Sequence, residues 1–291
     1  MGDRAKRTRL GEGDLKKFIR RIDSLPALPS VVAHVNEVVE SPTASASDIN
    51  KAIRRDVALS ARILKLVNSS FYGFPRKISS ITHAVVILGL PTVRNVVLSA
   101  FVLDAFSGKG LPFGHREFWI HSLGVGAAAN ALAKRRGLAE SEDAFVGGLL
   151  HDVGKIVLHQ FARADFNDAL RIVAERDCLL YDAEREVMAT SHAEVGSVLL
   201  DMWHLPSHLV EAVAVHHTPD VATQSPGLTA VVHVADILTR ALLVGSGGDS
   251  RIPRVSHAAW AKIGVPVGEI DDLVREVAGE VRKIDAFIEL I

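Results

Sequence analysis

The stretch GGLLHDVGK, Gly147 to Lys155, sets an imidazole and a carboxylate side by side inside an apolar run. A buried carboxylate is costly unless it is paired with, or bound to, a cation. His151 and Asp152 are therefore either ligands of a metal or members of a hydrogen-bonded polar core. The surrounding sequence, SEDAFVGGLLHDVGKIVLHQF (141–161), reads as one helix. Ser141 is a suitable N-cap and acidic residues stand in its first turn.

Outward from this point the periodicity is helical nearly throughout. REFWIHSLGVGAAANALAKRRG (116–137) reads as one helix, whose Gly124, Gly126, Ala127, Ala128 and Ala129 allow close packing. Near the start, LPSVVAHVNEVVE (28–40) carries Val31, Val32, Val35, Val38 and Val39 on one stripe, with Pro29 and Ser30 as start signals. Asp56 is a natural N-cap for the run Val57, Leu59, Ile63, Leu64, Val67. SSITHAVVILG closes on Gly89, a helix-ending glycine, and LPTVRNVVLSAFVLDAF follows. Gly108, Gly110, Pro112 and Gly114 then mark a boundary. Beyond the central helices come LPSHLVEAVAVHH, GLTAVVHVADILTRALL and at least two final helices. TPDVATQSPG and VGSGGDSRIP read as flexible loops. The expectation is an all-α chain: an N-terminal helical bundle over residues 15–110 packed on a second bundle over 115–291.

Composition excludes several classes. The 291 residues are 48% apolar, enough for a sizeable core, and 33 Lys+Arg balance 34 Asp+Glu, which argues against a nucleic-acid binder. The basic start, MGDRAKRTRLGEGDLKK, reads as a solvated tail. Cys178 stands alone, so neither a disulfide framework nor a thiolate cluster is expected. No secretory signal is visible, and the most apolar stretch is broken by Pro91, Arg94 and Asn95, so no membrane span is expected. A cytoplasmic location follows as the expectation.

Thirteen histidines are many for this length, and their placement carries the argument. Glu117 and His121 are four apart and leave one helix face. His151 and Asp152 are adjacent; His192 opens SHAEVGSVLL; His216 and His217 end a helix before Pro219; Asp236 lies in the apolar VVHVADIL. Imidazoles with carboxylates and no sulfur suit iron, manganese or zinc. Six or seven such groups exceed one tetrahedral site and point to as many as two ions. A single buried His or Asp is more often a core hydrogen-bonder than a ligand, and His34, His83, His115, His159, His204, His208, His233 and His257 are assigned to the core or the surface.

The series H…HD-x-G-K…H…HH…D resembles the HD-domain superfamily of metal-dependent phosphohydrolases, and is similar in arrangement to the HD-GYP cyclic-di-GMP phosphodiesterases. The likeness falls on His121, His151, Asp152, Lys155, His192, His216, His217 and Asp236, and Glu117 stands where that group has a further metal-ligand glutamate. Over about residues 18 to 240 the chain resembles the narrower HDOD family, through LPALPSVVAHV, RRDVALSARILKLVNSSFYG and ISSITHAVVILGLPTVRNVV. The resemblance implies an all-α fold and a bacterial signalling role as a regulatory module, without an established reaction. A signalling protein or a small ligand is the implied partner. After His216-His217 the chain runs TPDVATQSPGLTAVV; the DGxGYP stretch is absent, which argues against cyclic-di-GMP hydrolysis.

The resulting expectation is a divalent metal, iron or manganese ahead of zinc, held by Glu117, His121, His151, Asp152, His192, His216, His217 and Asp236. Asp152 would bridge two ions, and Lys155, one turn on, would either neutralise a phosphate oxygen or form a salt bridge to Asp152. A regulatory module with little catalysis ranks first. The alternative is a metal-dependent phosphohydrolase acting on a nucleotide or cyclic dinucleotide.

Overall fold

The computed structural model describes residues 27–290 apart from 55, 109, 139 and 140; the basic tail and the first residues of the expected N-terminal bundle lie outside the described residues. All regular structure among the described residues is helical. Five helices come first: α1 (Ser30–Glu40), α2 (Ala46–Ile53), α3 (Val57–Val67), α4 (Ile81–Leu88) and α5 (Leu90–Ala105). Asp56 caps α3 by accepting from Leu59 N at 2.8 Å, and Gly89, at φ +82°, is the junction of α4 and α5. Asn68, of the segment LVNSSFYG, fixes the α3–α4 connection. Its Nδ2 donates to the carbonyls of Leu64 and Ile78 at 2.7 and 2.8 Å, and its Oδ1 accepts from Ile78 N at 2.7 Å. One side chain thus satisfies both the N–H and the carbonyl of Ile78.

The connection 106–114 leads into α6 (His115–Arg136), which packs on α7 (Ser141–Leu150). Then follow α8 (Val153–Phe161), α9 (Arg163–Arg176), α10 (Leu180–Met188), α11 (His192–Met202), α12 (Ser207–Val215), α13 (Pro226–Ala241), α14 (His257–Ile263), α15 (Ile270–Val281) and α16 (Asp285–Ile288). The expectation of one helix over 141–161 is corrected: the helix breaks at His151–Asp152, between α7 and α8. The break suits the two polar side chains. Within a straight helix, adjacent residues diverge by about 100° and do not face each other; in the turn both reach one point.

α5 and α6 are buried on nearly all sides, Val93 to Leu103 and Phe118 to Ala133, because other helices surround them. One apolar core runs without interruption from α1 to α16. Phe71, Phe145 and Phe287 meet at centroid distances of 4.9–5.6 Å and join the α3–α4 connection, α7 and α16. Trp203 meets Phe101 and Phe106 at 5.6 and 6.2 Å, tying the end of α11 to α5. Each buried aromatic contributes about 1.5–3 kcal/mol. The small residues of α6 act as their spacing suggests. A Cβ on Gly148 would lie 2.7 Å from the backbone of Gly126, so α6 and α7 touch backbone to backbone. α8 meets α11 in the same way at Gly154 and Gly196.

Candidate metal centre

Around these two close approaches, five parts of the fold converge on one point. His121 comes from α6, His151 and Asp152 from the α7–α8 break, His192 from the first position of α11, His216 and His217 from the end of α12, and Asp236 from α13. Apart from the half-buried His217, all are buried. Asp152 is the hub. Its Oδ1 lies 3.0 Å from His192 Nε2 and 4.0 Å from His216 Nε2; its Oδ2 lies 3.2 Å from His151 Nε2 and 3.8 Å from His121 Nε2. Asp236 Oδ1 is 3.1 Å from His121 Nε2 and 3.8 Å from His151 Nε2. Two groups with metal-ligand spacing result and share Asp152: Asp152, His192, His216 and His217, and His121, His151 and Asp152.

The imidazoles are oriented from behind. His151 Nδ1 donates to Gly148 O at 2.7 Å, His216 Nδ1 to Val213 O at 2.8 Å, and His192 Nδ1 to Glu184 Oε2 at 2.6 Å. Each acceptor fixes the proton on Nδ1, so a neutral ring presents its Nε2 lone pair to the centre. Nε2 of His121, His151 and His216 and Oδ1 of Asp152 are buried without a hydrogen-bond partner. Such groups are rare and costly in a folded protein. Divalent metal bound at the two groups would satisfy them, so the donor set fits a metal.

The electrostatics agree. Burial and the neighbouring imidazoles push His216 and His217 well below the usual histidine range, and burial lowers His121. Burial alone would raise Asp152, yet His151, Lys155 and His192 hold it well below the usual carboxylate range. Asp236 behaves likewise beside Arg240 and His121. Neutral rings and ionised carboxylates are the states that bind cations. His192 is the exception: against its burial, Glu184 raises it.

One expected site residue lies elsewhere, and another is at the centre in only one of its two expected roles. Glu117 is exposed at the start of α6 and outside both groups; it contributes its backbone carbonyl to Ser246 N at 3.0 Å. One helical turn, about 6 Å of rise, carries it from the level of His121 to the surface. Lys155 is fully buried, donating to Asp152 Oδ2 at 2.5 Å and to Gly247 O at 2.8 Å. Of its two expected roles, the salt bridge is the one present. Sequence reasoning missed Glu184, Arg240 and Asp249. Arg240 Nε meets Asp236 Oδ1 at 2.8 Å and its Nη1 meets Asp249 Oδ1 at 2.9 Å. An i,i+4 Asp–Arg pair on α13 was the available signal. His233 and His208 take structural roles as expected: His233 links His216 O to Ser256 N, and His208 Nε2 pairs with Asp143 at 2.6 Å.

The HDOD domain family profile matches residues 25–219, two thirds of the chain. The chain belongs to the HDOD family. An uncharacterised protein of Treponema pallidum is 30% identical over 239 residues; the match covers 80% of this chain but only 45% of that protein. Among solved structures, an HDOD domain protein of unknown function from Geobacter sulfurreducens aligns over 98% of both chains, with 28% identity and a TM-score of 0.81. A candidate phosphohydrolase from Shewanella amazonensis aligns over 94% of this chain and 97% of its own, with 25% identity and a TM-score of 0.74. This HDOD chain thus shares its fold with proteins of both descriptions. No described helix is long and apolar enough to cross a membrane.

Proposed function

We propose that this HDOD chain is a bacterial regulatory module whose histidine–aspartate cluster holds a divalent metal, iron or manganese ahead of zinc, with little or no phosphodiester hydrolysis. The observation that carries this reading is the set of buried Nε2 atoms and Asp152 Oδ1 that lack partners and converge on one point. Asp152 with His192, His216 and His217, and Asp152 with His121 and His151, would hold the metal, which when bound supplies Lewis acidity and structural cross-linking.

Weak catalysis follows from the chain's own residues. Lys155 spends its ammonium on Asp152 and Gly247 and has no exposed surface to offer a phosphate. The segment TPDVATQSPG is held by Glu211, which accepts from the backbone N–H groups of Thr223, Gln224 and Ser225 at 2.7–3.0 Å. Positioning supplies much of an enzyme's rate, and that segment carries no lysine or arginine to place on a phosphate.

A small ligand is the favoured input. A groove lined by Tyr181, Arg185, Thr190, Glu194, Ser197 and Thr218 adjoins the centre, and the Tyr181 ring lies 4.3 Å from that of His217. The N-terminal helices α1–α5 would pass the resulting state to a signalling protein. Metal content and cyclic-dinucleotide hydrolysis, measured together on wild type and Asp152→Ala, test the reading. The expected result is a metal-containing wild type with negligible turnover and a metal-free variant. Rapid metal-dependent turnover by the wild type, lost in the variant, would make the phosphohydrolase alternative correct.

A further inference from the structure

The groove beside His217 has a chemistry that selects among ligands. Three helices build it, each with one face at helical spacing: Tyr181 and Arg185 on α10, Glu194 and Val198 on α11, Val210 and Ala214 on α12. Its volume of about 890 Å³ suits a small molecule. One wall is hydrocarbon, from Val198, Val210, Ala214, Val215 and Val221. Val221 is 62% exposed, yet its turn is fixed: Val221 N donates to Thr218 O at 3.2 Å, and Asp220 Oδ1 accepts from Ser256 Oγ at 2.6 Å. A valine held in solvent on a pinned turn offers its apolar surface to whatever enters the groove.

The polar side is closed on itself. Glu194 accepts from Arg185 Nη1 at 3.1 Å, from Thr190 Oγ1 at 2.8 Å and from Ser191 N at 2.9 Å, and Ser197 Oγ donates to Glu194 O at 2.9 Å. The Arg185 guanidinium also lies 5.7 Å from the centroid of the Tyr181 ring. Among the described residues that line the groove, Arg185 is the sole lysine or arginine, and Glu194 and Asp201 set two carboxylates against it. A ligand with several phosphate charges would lose water there without gaining cationic partners, which is costly. A single anionic group needs one positive partner, and the metal centre at the His217 end supplies it.

We propose that the ligand of this groove is a medium-chain monocarboxylate, with its carboxylate toward His217 and its hydrocarbon along the valine wall. This rests on the metal-centre and small-ligand readings above. Nucleotides and cyclic dinucleotides bring more negative charge than the lining matches. An uncharged hydrocarbon uses the wall and leaves the His217 end unused. A chain with one carboxylate uses both, and each methylene laid on the wall adds to affinity.

The test is titration calorimetry on the full chain purified without chelator, with hexanoate, octanoate, octanol and cyclic di-GMP as probes below any micelle-forming concentration. Metal content is measured on the same sample, and circular dichroism reports folding. Octanoate should bind about fifteenfold tighter than hexanoate, at about fourfold for each of two methylenes. It should bind at least tenfold tighter than octanol, and cyclic di-GMP should not bind. Val221→Asp, a surface change that the fold tolerates, should weaken octanoate at least tenfold. Glu194→Gln, which keeps the cap on α11 and removes one negative charge, should tighten it. Cyclic di-GMP binding as tightly as octanoate would overturn the inference. So would a metal-containing chain that ignores octanoate, or octanoate binding that is indifferent to chain length and to Val221→Asp; both outcomes leave the metal-centre reading standing. A folded chain that holds no metal would bring down that reading and this inference with it.

Discussion

Gly154→Ala tests whether the backbone contact between α8 and α11 builds the centre. A Cβ at position 154 would stand 2.0 Å from His192 O, 2.7 Å from Gly196 N and 2.8 Å from His192 C. Ordinary carbon–oxygen contact begins near 3.4 Å, so the two helices must separate by roughly 1.4 Å. The obstacles are backbone atoms, and no rotamer change removes them. Overpacking of this kind costs typically about 1–3 kcal/mol and occasionally more, and the shortness of this contact places it at about 3. For a chain of this size that is a melting temperature about 6–12 °C lower. The displaced atom belongs to His192, whose Nε2 stands 3.0 Å from Asp152 Oδ1, so metal affinity should fall together with stability. Gly196→Ala is the control. Its Cβ would meet Val213 Cγ1 at 3.2 Å and Gly154 N at 3.3 Å, contacts that small shifts relieve, and about 1 kcal/mol is expected. Differential scanning calorimetry and metal analysis read both effects. A Gly154→Ala chain melting within 1–2 °C of wild type (about 0.5 kcal/mol or less) with full metal content would refute the reasoning.

Three further outcomes follow from the same geometry. Glu184→Gln should weaken metal binding about ten- to a hundredfold while the fold persists, since Glu184 sets the tautomer and basicity of His192; titration calorimetry reads it, and unchanged affinity would contradict it. Asp143→Ala should cost about 3–5 kcal/mol in urea unfolding, because it strands the largely buried Arg94 and removes a partner from Asn95 and from His208, where α5, α7 and α12 meet; a cost below about 1 kcal/mol would show that node to be dispensable. In the chelator-treated chain, His121, His216 and His217 have folded values below the ordinary 6.5, so the unfolded chain binds more protons below that pH and stability should fall as pH drops from 6.5 toward 5. His192, raised, opposes this but stands alone among the four, and a melting temperature that rises over that interval would contradict the balance.

The helical architecture was legible because apolar periodicity and caps such as Asp56 and Gly89 are local signals. The convergence of His121, His151, Asp152, His192, His216, His217 and Asp236 was legible from residue type, since polar groups recurring on apolar helices need a common partner. Three things were not legible. Glu117 shares a face with His121, but a face says nothing about depth, and the turn between them crosses from core to surface. The break at His151–Asp152 has no glycine or proline in it and is fixed by what the two side chains reach. The segment VGSGGDSRIP looks like a flexible loop by composition, yet Gly247 and Asp249 fasten it to Lys155 and Arg240, contacts that for Lys155 span 92 positions in sequence. Long-range partners of this kind leave no periodic trace.

The most direct measurement is anomalous X-ray scattering from crystals of the whole chain, collected at the iron, manganese and zinc edges. Anomalous signal is predicted at the centre, beside Asp152 and among the imidazoles of the two groups that share it. A well-ordered centre with no peak at any edge would contradict the account.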